Sequence, residues 1–208
     1  MSFPDYAAFW DGRYREAGED YLFGTAPNRF LATQAALFDA GMAVLSVADG
    51  EGRNSVWLAQ LGCRVTATEI SRTALEKAAR LARANHVAVD CLETDIFHWA
   101  WPEAEFDAVV GIFIQFAGPA ERPRLFEGMK QAVRPGGVVL LQGYTPKQLE
   151  FRTGGPSAVE NLYTADLLRN AFGDWCIEHL REHEEEITEG SAHAGRSALI
   201  DLVARKPL

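Results

Sequence analysis

Cysteine is scarce in this chain. Cys63, Cys91 and Cys176 form an odd set of three without a CxxC spacing, and such a set builds neither a disulfide framework nor a zinc knuckle. Basic residues are also in short supply, with 20 Lys and Arg against 29 Asp and Glu and a formal charge of −9. Nucleic acid and anionic membrane surfaces both demand a basic face, so neither is expected as the main partner. No apolar run approaches the roughly 20 residues that a transmembrane helix needs; the longest lie near residues 108–116 and 138–141. The opening Met-Ser-Phe-Pro-Asp lacks the basic start and apolar stretch of a signal peptide, which points to a cytoplasmic protein with reduced thiols. Internal repeats and low-complexity segments are absent too. What is present is ordinary globular material: 208 residues, 48% of them hydrophobic, enough for one domain with a sizeable core.

From about residue 43 onward, short β-rich runs alternate with helical patterns. Strands are expected at 44–47, 63–69, 87–92, 106–113 and 138–142. Helices are expected at 54–61, after Ser71 as cap with Ala74, Leu75, Ala78, Leu81 and Ala82 inward, and at 119–133 up to the stop Arg134-Pro135-Gly136-Gly137. That alternation predicts βαβ units and a mostly parallel sheet covered on both faces. The last third changes character. A helix at 164–172 precedes two β-compatible runs, 176–188 and 197–205, joined by a turn-rich segment, which predicts a closing antiparallel hairpin. Residues 1–42 carry two helical patterns, 6–17 and 28–40, and read as an arm or lid on a core spanning 43–208.

The strongest local signal is VLSVADGEGRNS at 44–55: a buried strand running into a glycine turn that opens a helix. Glycines there let the backbone approach a ligand closely, and the helix N-terminus favours negative charge. Glu69 ends the second strand, where a carboxylate can accept both hydroxyls of a ribose. Alone, this unit fits a dinucleotide fingerprint nearly as well, with Ser55 in place of a third glycine. Thr94-Asp95-Ile96 after the third strand can receive an adenine amino group, although helix capping explains a Thr-Asp pair equally well. The fourth strand's end, Gly111-Ile112-Phe113, would border the reacting centre.

In this order, with Arg134-Pro135-Gly136-Gly137 leading into the fifth strand and a hairpin to close, the chain resembles the class I S-adenosylmethionine-dependent methyltransferases. The flanks resemble the bacterial tellurite-resistance and thiopurine methyltransferase branch. They are Phe9-Trp10-Asp11-x-Arg13-Tyr14, Tyr21-x-Phe23-Gly24-Thr25-Ala26-Pro27-Asn28, Tyr144-Thr145-Pro146-x-Gln148, Gly154-Gly155-Pro156 and Glu189-Gly190-x-x-His193-x-Gly195. The resemblance implies an α/β, doubly wound, Rossmann-like seven-stranded sheet of order 3-2-1-4-5-7-6 with strand 7 antiparallel. It also implies S-adenosyl-L-methionine as cofactor and a small-molecule methyl acceptor, with a thiol, selenium or tellurium compound in view. One departure stands out. Where the family's first strand usually ends Asp-Leu-Gly-Cys-Gly, this chain reads Ser46-Val47-Ala48-Asp49-Gly50, so Asp49 is expected to supply the missing carboxylate from the turn.

The cofactor site is accordingly expected at Ser46, Ala48, Asp49, Gly50, Gly52, Asn54, Glu69, Ile70, Asp95, Ile96 and Gly111. For the acceptor, Tyr14, Tyr21 and Phe23 are expected to close the pocket, and Arg53, Asn54, Tyr144, His193 and Arg196 to bind an anionic group. No general base and no metal site is assigned; His179 and His183 lie among acids on what reads as a solvated edge strand. Between residues 178 and 189 there are six acids and one base, more than half the net charge. Two other functions stay open on these residues, a non-catalytic S-adenosylmethionine sensor and a nicotinamide-dependent oxidoreductase.

Overall fold

Runs that are apolar at nearly every position become the inner strands of one sheet, because a strand covered on both faces has no solvent side to keep polar. The computed structural model describes residues 6–190 and 193–208. The strands are β1 (Ala43–Ser46), β2 (Arg64–Glu69), β3 (Asp90–Glu93), β4 (Phe106–Ile112), β5 (Val133–Tyr144), β6 (Cys176–Glu189) and β7 (His193–Arg205). They form a seven-stranded sheet of order β3-β2-β1-β4-β5-β7-β6. The pairs β1–β2, β1–β4, β2–β3 and β4–β5 are parallel, and β7 runs antiparallel between β5 and β6. The expected sheet order and the antiparallel seventh strand are both observed.

Successive side chains on each strand go to opposite faces, which splits the core in two. Leu45, Val109, Val139, Leu141 and Leu202 pack with Leu125, Phe126, Met129, Leu168 and Phe172, from the helices α5 (Arg122–Ala132) and α7 (Ala165–Phe172). Val44, Ala108, Val110, Leu140 and Val203 pack on the other side with Phe30, Leu31, Phe38 and Leu58, from the arm and from α3 (Arg53–Gln60). The arm contributes α1 (Tyr6–Glu16) and α2 (Arg29–Thr33). Helix α4 (Arg72–Ala84) is capped by the Ser71 side chain, which accepts from the Ala74 N–H, and its expected inner face is buried. A short α6 (Gln148–Phe151) follows β5. No helix among the described residues is long and apolar enough to cross a membrane.

Three boundaries differ from expectation. The third strand begins at Asp90 because residues 86–87 are used to end α4: His86 adopts a left-handed conformation (φ 57°), and the N–H groups of His86 and Val87 return to the carbonyls of Arg83 and Ala82. The second arm helix stops at Thr33, whose hydroxyl donates to the Phe30 carbonyl at 2.7 Å. That carbonyl is the acceptor Gln34 would need to continue an α-helix, so Gln34 turns to Leu31 instead. The segment Arg134-Pro135-Gly136-Gly137 lies inside β5, where the pairing with β4 shifts register between Phe106 and Ala108.

The hairpin is what positions the site. β5 pairs β7 only as far as Leu199, so the outer part of β6–β7 runs on past the sheet and its turn meets the arm. A side chain at Gly190 (φ 75°) would lie 2.4 Å from the Phe23 carbonyl carbon, so this approach requires glycine. The arm is also clasped from below. Lys77 and Glu51, each almost wholly buried, pair at 2.9 Å, Lys77 donates to the Asp20 carbonyl at 2.8 Å, and the Tyr21 hydroxyl donates to the Lys77 carbonyl. Removing one partner of a buried pair leaves an uncompensated charge, at a cost of about 3–5 kcal/mol. Glu51→Gln is therefore expected to lose stability on that scale in urea denaturation, and Glu51→Leu combined with Lys77→Met to lose less. A single-variant loss below about 1 kcal/mol would show that the clasp does not hold the arm.

Candidate functional site

The carboxyl ends of β1, β2 and β4 border a cleft that is partly open to solvent. In an open α/β sheet this is where ligands bind, because the strand order reverses there and leaves a crevice. Ser46, Ala48, Asp49, Gly50, Asn54, Glu69, Ile70, Asp95 and Ile96 line it, and so do Tyr14, Arg53 and His193. Five expected residues lie outside the lining. Gly52 packs on Ala78 of α4, and Gly111 is enclosed by Ile114, Leu141 and Met129. Tyr21 packs on α4, Tyr144 is buried behind Phe113 at a ring distance of 4.7 Å, and Arg196 is exposed and pairs with Glu184 at 2.6 Å.

One half of the cleft is polar. The turn after β1 starts with Ala48 in a left-handed conformation (φ 49°), an uncommon state for a residue with a Cβ, at the position where the resembled family carries glycine. The turn then buries Asp49. Its carboxylate accepts from the Ser46 hydroxyl at 2.6 Å, from the Ser55 hydroxyl and from the Ser55 N–H. A carboxylate thus stands three residues after position 46, tied back to the strand by the serine there. Burial raises the Asp49 pKa and the serine contacts oppose it. Glu69 accepts from the N–H groups of Gly50 at 3.0 Å, Ile70 at 3.0 Å and Ser71 at 2.9 Å. Burial pushes its pKa up to about 7 against those three donors. Gly50 (φ 64°) carries the Tyr14 hydroxyl 2.8 Å from where a Cβ would sit. Asp95 accepts from the Phe97 N–H at 3.0 Å and lies 2.7 Å from the His98 ring, a turn-capping geometry.

The other half is aromatic. Tyr6, Trp10, Tyr14, Phe23, Phe97, Phe113 and Phe116 all border it. Trp10 stacks on Tyr14 at 5.9 Å, while Phe23 and Phe113 flank the His193 ring at 4.6 and 4.5 Å. Phe113 holds φ 56° at the end of β4, the kind of backbone strain that clusters at ligand sites. His193 is expected from sequence to sit in a loop; it is instead the first residue of β7 and only 9% exposed. Its Nδ1 has no hydrogen-bond partner among the described residues. Burial first, then the charges of Arg53 and Arg13, lower its pKa to about 3, so the imidazole is neutral.

Arg53 is not available to an anionic acceptor. It pairs with Glu189 at 2.7 Å, both side chains at least nine-tenths buried. Glu189 also accepts from the Asn28 side chain at 2.9 Å and the Arg29 N–H at 3.2 Å, and the Asn54 side chain accepts from the Asn28 N–H. The acid run at 178–189 therefore does more than solvate an edge: Glu178, Glu184, Glu185 and Glu189 pair with Arg205, Arg196, Arg29 and Arg53. His183 pairs with Asp201 at 2.8 Å, and no group of three or more metal-ligating side chains occurs among the described residues. The reading from sequence missed Tyr6, Trp10, Glu51, Phe97, Phe116 and Glu189. Trp10 and Glu189 stood inside motifs already singled out, which was the available signal.

Residues 44–137 match the family model described as a methyltransferase domain. Curated relatives include the carboxy-S-adenosyl-L-methionine synthases of Aeromonas hydrophila, 29% identical over 120 residues, and Aeromonas salmonicida, 30% identical over 120 residues. Each match covers 57% of this chain and 47% of the relative, so the chain spans about half the length of the curated relatives it matches. Among solved structures, one described as the conversion of a disulfide bond into a thioacetal group during echinomycin biosynthesis superposes with a TM-score of 0.79 at 20% identity, covering 97% of this chain and 91% of that one. TehB from Haemophilus influenzae gives 0.72 at 19% identity, covering 96% and 66%. The [4+2]-cyclase SpnF gives 0.74 at 17%, covering 97% and 95%.

The sheet order and the strand-end cleft define the class I methyltransferase fold. The match over residues 44–137 is to a methyltransferase domain, and the fold is the one such domains adopt. A synthase and a cyclase among its likenesses show that fold leaves the reaction to the site.

The His193 shift has a measurable consequence. The unfolded chain takes up this proton near the ordinary value of 6.5, the folded chain only near 3, so stability drains away as pH falls through that interval. Glu69 acts in the opposite sense, because a raised carboxyl favours the folded state at low pH. In His193→Leu only the first contribution is removed. Urea titrations at about pH 5 and pH 7.5 are expected to show the variant gaining on the native protein at the lower pH; an equal difference at both would refute the assignment.

Proposed function

We propose that the chain is a methyltransferase that alkylates a small organic acceptor through a soft nucleophile. A thiol is the first choice, and selenium and tellurium compounds share its chemistry. The observation that carries this reading is the division of one cleft into two ends. Two buried carboxylates, Asp49 and Glu69, line the first; the second is an aromatic chamber containing a neutral imidazole. The residues fit S-adenosylmethionine: Glu69 faces the same space as the turn at Gly50, Asp49 offers negative charge beside it, and a Cβ at Gly50 would meet the Tyr14 hydroxyl at 2.8 Å.

In this reading Glu69 accepts from the ribose hydroxyls, Asp49 faces the amino end, and Asp95 with Ile70 and Ile96 borders the adenine. When bound, S-adenosylmethionine would supply an electrophilic methyl carbon on a sulfonium whose leaving thioether takes the breaking bond pair, and the acceptor would lose its proton to solvent. Tyr6, Trp10, Phe23, Phe113 and Phe116 exclude water from that end and hold the two reactants at near-attack distance. His193 accepts a hydrogen bond from the acceptor's X–H and orients it. With a pKa near 3 it stores no proton, which suits a nucleophile that needs no strong base. Arg53 and Arg196 are both engaged by glutamates, so a bare inorganic oxyanion finds no cation from either of them.

The test is incubation with methyl-labelled S-adenosylmethionine and a panel of alkyl and aryl thiols, selenite and tellurite. Label in a thioether supports the reading. Binding of S-adenosylhomocysteine without label in any product would replace it with a sensor role. Glu69→Gln is expected to weaken S-adenosylhomocysteine binding by about tenfold or more by calorimetry. In the native protein that affinity is expected to fall as pH drops through about 7, where Glu69 takes up its proton.

A further inference from the structure

Beside the aromatic half of the cleft, over the lining residue Trp10, lies a cation without an ion pair among the described residues. Around it, Arg53 pairs with Glu189, Lys77 with Glu51, Arg15 with Asp11 and Arg196 with Glu184. Arg13 makes no ion pair among the described residues. Its guanidinium lies instead over the Trp10 ring at 5.3 Å and the Phe9 ring at 5.9 Å. Trp10, Arg13 and Tyr14 are spaced i, i+3 and i+4 and so share one face of α1, and Trp10 and Tyr14 both line the cleft. Stacking on an aromatic face fixes the plane of a guanidinium and leaves its N–H edges free for a planar, bidentate partner.

A second unsatisfied group stands on the same wall. Phe23 contacts Trp10 at 6.4 Å on one side and His193 at 4.6 Å on the other, and His193 Nδ1 is buried without a partner among the described residues. Arg13 and His193 thus flank one aromatic surface, the first offering only donors and the second an acceptor. A ligand that satisfies both needs an anionic group at one end, an apolar body, and a hydrogen-bond donor at the other.

The geometry points to an organic acid as the methyl acceptor. Its carboxylate pairs with Arg13 at the mouth of the cleft, its body lies along Trp10, Phe23 and Phe113, and its nucleophilic X–H reaches His193 Nδ1. This assignment rests on the methyl-transfer reading of the cleft and names its substrate class; Arg13 is the residue that sets specificity. It gives a role to an arginine that makes no ion pair among the described residues of an arm rich in aromatics.

Binding is measured directly, so that it does not depend on turnover. The 2-, 3- and 4-sulfanylbenzoates and their methyl esters are titrated into the S-adenosylhomocysteine-loaded protein by calorimetry. At least one acid is expected to bind about tenfold or more tightly than its ester, the scale of a charge-assisted pair. Arg13→Gln is expected to bring that ratio close to one, and Arg13→Lys, which keeps the charge without the fork, to leave it in between. S-adenosylhomocysteine affinity, read at the far end of the cleft, reports that each variant is folded. Equal binding of acids and esters by the native protein, no binding of either at millimolar concentration, or an unchanged ratio in Arg13→Gln would overturn the proposal. Failure of the methyl-transfer reading shows separately, as the absence of transferred label.

Discussion

Near the tip of the hairpin, Glu189 accepts hydrogen bonds from two adjacent arm residues, Asn28 and Arg29, and pairs with Arg53 in the first turn of α3. It adds one node shared by the arm, the first turn of α3 and the hairpin to the clasp that Lys77 and Glu51 already make. Those three elements are walls of one chamber. The contact extends inward: Asn28 donates to Gln142 at 2.6 Å, Gln142 donates to Asp201 at 2.6 Å, and Asp201 pairs with His183. A charge so buried is tolerated only when its remaining lone pairs are also satisfied. That requirement explains why so many polar side chains converge on one glutamate.

Closing the chamber lowers its dielectric, and two of the titratable groups that face it respond in opposite directions for one reason. Glu69 moves up to about 7 and His193 down to about 3, in both cases chiefly through loss of water around the charged form. Both groups are thereby biased toward neutrality in the free protein. A ligand that brings hydroxyls to Glu69 restores the donors that water no longer supplies. The aromatic end asks instead for an apolar body. The division of labour between the two ends is therefore a division of solvation, set by which side chains the arm carries across the mouth.

Much of this was legible in the chain. The alternation of apolar and helical runs, the capping Ser71 and the turn at 48–52 depend on interactions within a few residues, and they appear where periodicity puts them. Ser46 and Asp49 are legible for the same reason, since a carboxylate three positions late can still reach its strand. The misplaced boundaries have local but subtler causes: a Thr33 hydroxyl that takes a helix carbonyl, and a His86 that closes α4 in a left-handed turn. Arg53, Arg196 and Glu189 were not legible. Nothing in their sequence neighbourhoods says that Arg53 meets a glutamate more than a hundred residues away, or that Arg196 turns outward to Glu184.

What the sequence by itself determined is the order of elements and the glycine turn after the first strand, because these follow from local periodicity and composition. Only the tertiary structure decided which charges are spent on each other and which remain. A guanidinium's availability depends on the nearest carboxylate in space, and burial, which sets whether an imidazole or a carboxylate carries charge, arises only when distant segments pack together. That is why Arg53 became a strut, while Arg13 lies over Trp10 with no ion pair among the described residues.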